Sequence, residues 1–164
     1  MLEKEILLEL ERYIHSYQNE MICKSSEMNM DSDFNILENV QHSELKDFID
    51  ANRKPTLSQV LFGFIDQKGY RDADVYKRAG MDRKHFSKIR SIPNYRPRKN
   101  TVIALALALE LDYDNTDELL SAAGYSLSES DTYDLVIQFC LEKRIYDLDS
   151  VNQALDYFSL KPLT

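Results

Sequence analysis

Apolar positions recur every three or four residues along most of this chain, and the stretches between them are short, polar and punctuated by glycine or proline. Over residues 2–18 the stripe is Leu2, Ile6, Leu10, Tyr13 and Tyr17, which predicts an amphipathic N-terminal helix within residues 1–20. From Met21 to Gln41 the period disappears into a run rich in Ser, Asn and Met, read as linker. A short helix is expected over 43–51, so that 21–54 is linker with one helical segment. Pro55 then marks a boundary, because proline disfavours a helical residue before it and suits a helix start.

Beyond Pro55 the helical signals follow one another closely. Leu57, Leu61 and Ile65 give one apolar face, ended by Gly69. Asp72 is expected to cap a second helix, ADVYKRA, which Gly80 closes, and Asp82 a third, RKHFSKIRS. IPNYRPR reads as a loop set by Pro93 and Pro97. Asn100 or Thr101 then opens TVIALALALEL, apolar nearly all round and therefore buried on most sides. Asn115 with Glu118 looks like a capping box before DELLSAA, closed by Gly124. Ser128 with Asp131 opens TYDLVIQFCLEKR, and SVNQALDYF follows the turn at Tyr146 and Asp147. The expected architecture is all-α: a five-helix core over 55–125 and a C-terminal helical hairpin, 126–164, packed on it.

Composition limits the function classes. The chain has 164 residues, 43% hydrophobic and 29% charged, with only 4 Gly and 4 Pro, as befits an ordered domain with one sizeable core. Its first residues include glutamates where a signal peptide needs a basic region, and no stretch reaches the ~18 apolar residues of a membrane span. A cytoplasmic location and no membrane contact are expected. Cys23 and Cys140 are far apart and match no metal or disulfide spacing. His15, His42 and His85 each lack a carboxylate or cysteine at ligand or triad spacing, and the glycines form no phosphate-binding loop. No cofactor, metal site or enzymatic activity is expected.

Charge changes the picture more. The formal net charge of −8 disfavours a nucleic-acid partner, yet residues 68–99 hold eleven basic residues against three acidic ones, +8 for the segment and −16 for the remainder. Tyr70, Tyr76 and Tyr95 interleave with the basic residues and could stack on bases. Such segregation points to a basic face aimed at an anionic partner.

Residues 57–124 resemble the lambda-repressor-like, or Xre-type, helix-turn-helix domain. The resemblance is carried by VYKRAGMDRKHFSKI, with Gly80 at the turn and Phe86 and Ile89 as anchors, and by YRPRKNTVIALALALEL. A closer resemblance, over about 55–160, is to an uncharacterised Firmicutes module sometimes found C-terminal to macrodomains, which brings no biochemical activity with it. The repressor resemblance implies that Arg83, Lys84 and Lys88 face outward on a DNA-reading helix, with His85 and Ser87 nearby. Arg90, Tyr95, Arg96, Arg98 and Lys99 complete the candidate nucleic-acid-binding set. The departures are Asp72 and Asp74, carboxylates where phosphate would approach, and Tyr76, where the family has a small alanine.

Two functions follow as expectations. One is a DNA-binding protein in transcription regulation; the other is an interaction adaptor that keeps the repressor fold and binds an acidic protein without DNA. The N-terminal helix is expected to cover its stripe with a second chain or a partner, leaving the first ~50 residues separable from the core.

Overall fold

Residues 3–24 and 42–164 are described by a computed structural model, in which every regular element is helical. Among the described residues there are nine helices and no strand: α1 Lys4–Lys24, α2 His42–Asn52, α3 Leu57–Lys68, α4 Asp72–Arg78, α5 Arg83–Ser91, α6 Lys99–Ala108, α7 Tyr113–Ala122, α8 Thr132–Glu142 and α9 Leu148–Tyr157. None of the helices described is long and apolar enough to cross a membrane. Leu2 and residues 25–41, most of the expected linker, lie outside the described residues. The linker reading is corrected at its start, because α1 continues through Met21 to Lys24.

The centre is α6, whose residues Val102 to Ala108 are all buried, as its lack of a polar face requires. It packs against α4 on one side and α7 on another, and α3 lies against α7. Ala104, Ala106 and Ala108 alternate with Leu105 and Leu107 in this helix, so neighbours approach the alanines closely while the leucines fill the gaps. Leu57, Leu61 and Ile65 are buried on α3, each such side chain contributing about 1.5–3 kcal/mol by leaving water. Residues 134–141 of α8 are all buried too, between α7, α9 and α1.

α1 corrects a larger expectation. Leu10 and Ile14 are buried within this chain, on the face that α1 lays against α8. The Tyr13 ring meets Phe139 edge-on at 5.5 Å, and its hydroxyl donates to Glu142 Oε1 at 2.9 Å. Lys143 pairs with Glu9, and the Tyr157 hydroxyl donates to Glu11 Oε1 at 2.7 Å. The stripe is therefore covered at Leu10 and Ile14 by the chain's own C-terminal helices. Contacts cross between the first 50 residues and the core, against the expected separability.

Aspartates start four of these helices, though not always those that spacing suggests. Asp82 accepts from the Lys84 amide at 3.1 Å as expected. Asp72 does not cap α4: Arg71 stands at that position and makes no side-chain cap bond, while the Asp72 carboxylate accepts from the Arg90 guanidinium. The cap of α7 is Asp112, which accepts from the Asn115 amide at 2.9 Å and so starts the helix before Asn115. Asp131 caps α8, while Ser128 is engaged in the preceding turn. α6 begins at Lys99, one residue before Asn100, after an uncapped Arg98.

Candidate nucleic-acid interface

Positions 86 and 89 fall on one face of α5, and 83, 84 and 88 on the rest of its circumference. Phe86 and Ile89 are buried; Arg83, Lys84, Ser87 and Lys88 are exposed. Phe86 is held between two rings, edge-on to Phe62 at 5.7 Å and tilted against Tyr76 at the same distance. Tyr76 is thus accommodated as a half-buried neighbour of the α5 anchor, and α4 and α5 still pack together. Gly80, φ 64°, makes the turn between them. A Cβ there would stand 3.4 Å from Leu148 Cδ1, so the turn is seated against the start of α9.

The ten candidate residues divide by what their side chains already hold. Lys99 reaches away from α5 to Asp134, 2.6 Å from Nζ to a carboxylate only 3% exposed, which also accepts from the Ser128 amide at 2.8 Å. Arg96 lies over the Tyr125 ring at 4.4 Å and donates to the Gly124 carbonyl at 3.3 Å. Arg90 lies over the Phe62 ring at 4.1 Å and pairs with Asp72 at 2.5 Å. These three cations are committed to the fold. His85 is half-buried and edge-on to Tyr95 at 5.9 Å, so the pair forms a wall beside α5. Arg83, Lys84, Lys88 and Arg98 are exposed and hold no ion pair among the described residues.

Lys77 on α4 belongs with them, exposed and without an ion pair among the described residues, although the sequence pattern singled it out only as part of the basic run. Of the other basic residues in 68–99, Lys68 donates to the Glu110 carbonyl, Arg71 pairs with Asp74 and Arg78 with Glu110. Among the described residues, the eleven basic residues thus reduce to five without an ion pair or hydrogen-bonded partner. The same pairing answers the two carboxylates at the start of α4. Asp72 sits against Arg90 and Asp74 against Arg71, so the anion-repelling charge there is locally balanced.

Exposed cations spaced along one short helix, with a buried aromatic and aliphatic side fixing the rotation, can meet a row of phosphates or carboxylates. Elsewhere, a cleft of about 450 Å³ is lined by Val60 of α3 and by Asp114, Asp117, Glu118 and Ala122 of α7, with Lys54 at its edge, so its lining is mainly acidic. No family model, curated protein or solved structure matches this chain.

Proposed function

We propose that this chain is a DNA-binding regulatory protein of the cytoplasm. In this reading α3–α7 form a repressor-like helix-turn-helix core, and α5 enters the major groove. The observation that carries the reading is the separation on α5 of buried Phe86 and Ile89 from Arg83, Lys84 and Lys88, which are exposed and hold no ion pair among the described residues. Lys77 and Arg98 extend the charge to either side, toward the flanking phosphates, and Arg83 and Lys84 suit guanine edges at the helix start.

The test is a titration of random-sequence duplex DNA across salt concentration. Four or five phosphate contacts imply that log K falls against log salt with a slope of about −4. Arg83→Glu/Lys84→Glu/Lys88→Glu removes that binding while the melting temperature stays nearly unchanged, since all three side chains are exposed. No binding at low salt overturns the reading in favour of an acidic protein partner for the same face.

A further inference from the structure

Arg90 is tied to the fold in a different way from Lys99. The carboxylate that Lys99 holds is 3% exposed, so that bond is shielded from water. Arg90 meets Asp72 at the surface, Nη2 to Oδ2 at 2.5 Å, with the two side chains 56% and 40% exposed. The guanidinium also lies over the Phe62 ring at 4.1 Å, and that ring is edge-on to buried Phe86. Phe62 thus gives Arg90 a seat that does not depend on Asp72.

The position of Arg90 on α5 puts it in line with the working face. Arg83, Ser87 and Arg90 are four and then three residues apart, so they follow one another along one edge of the helix. Two turns, about 10.5 Å of rise, separate the two arginines. That edge adjoins the side carrying Lys84 and Lys88. Arg90 differs from these exposed cations in having a carboxylate on its guanidinium, supplied by the first turn of α4. A carboxylate oxygen makes the same charge-assisted bond to a guanidinium as a phosphate oxygen does. A phosphate that took Arg90 would leave the Asp72 carboxylate beside it without its cation, so the repulsion favours the closed pair. We infer that Asp72 is an autoinhibitory contact: it occupies Arg90 in place of a DNA phosphate and withholds one in-line cation from the α5 face. The inference rests on the DNA-binding reading and adds to it a built-in limit on affinity, set by one residue of α4.

Four full-length proteins test it: wild type, Asp72→Asn, Arg90→Gln and the double variant, each titrated with random-sequence duplex DNA across salt concentration. Asp72→Asn keeps the side-chain size and releases Arg90. One added phosphate contact should steepen the slope of log K against log salt by about 0.9, from about −4 to about −5, and tighten binding about three- to tenfold near ~0.1 M salt. In the Arg90→Gln background the same Asp72→Asn change should leave the slope where it is, because no cation is released. Melting curves accompany each titration, and Asp72→Asn should melt like wild type, since its side chain is part-exposed. If Arg90→Gln melts early through loss of its seat on Phe62, Arg90→Met, which keeps an apolar stem over the ring, takes its place. An Asp72→Asn slope equal to that of wild type overturns the inference and leaves the functional reading standing. So does a steepening that persists without Arg90, which would assign the gain to loss of the carboxylate alone. Binding by Asp72→Asn where wild type shows none supports the inference, and absence of binding by both at low salt overturns it together with the functional reading.

Discussion

Phe86 shows how much one side chain can settle. It fills the space between Phe62 and Tyr76, and it fixes which way α5 is turned. Phe86→Ala should cost about 3–5 kcal/mol through the cavity left behind, read as a lower urea midpoint, whereas a near-neutral result would mean that α5 is held by something else. Cys140 is a different kind of residue, wholly buried in α8, where desolvation pushes its thiol from 9.0 up to about 12. Between those values the unfolded chain gives up a proton that the folded chain keeps, so stability falls as pH rises through that window and is unaffected below it. The loss approaches about 1.4 kcal/mol per pH unit from this thiol alone. Urea titrations at pH 8 and pH 10.5 should show the decline, and Cys140→Val should flatten it; an equal decline in both proteins removes Cys140 as the cause. At neutral pH the thiol should resist alkylation until the chain unfolds.

At the scale of elements, helix positions were largely readable and their partners were not. A three- or four-residue period states that a face must be covered, which is why the buried sides of α3, α5 and α6 follow from their residues alone. It does not state by what. The stripe of α1 was therefore open to assignment to another chain, and the cover turned out to be α8, more than a hundred residues along. Helix starts slipped for a local reason: several aspartates and asparagines lie within a few residues of each other, and the choice of Asp112 over Asn115 depends on which side-chain oxygen reaches a free amide. The committed cations slipped for a distant one, since Arg90, Arg96 and Lys99 find partners 18, 28 and 35 residues away. Leu10→Ala should cost about 2–5 kcal/mol, and removing residues 1–24 should lower the melting temperature by uncovering Phe139. A truncated chain that melts like the full one would restore the N-terminal helix to the status of an appendage.

Across the whole molecule, positive charge is gathered in 68–99 and the remainder is strongly acidic, yet about half of the gathered charge is spent on internal ties. Lys99→Met should show the size of one such tie. It leaves the Asp134 carboxylate buried without its cation, at a cost of about 2–3 kcal/mol, below the value for a fully buried pair because the lysine is partly in water. The Lys99–Asp134 bridge also has a kinetic consequence. It joins the first turn of α6 to the first turn of α8, so neither helix can open without stranding a charge of the other. Backbone amides of α6 and α8 should therefore exchange with deuterium at one common rate, as a single opening unit. An anion seated on α5 that binds only the closed form should slow both together, by the factor one plus ligand concentration over Kd. In Lys99→Met the two rates should part, and α8 should open on its own while α6 stays protected.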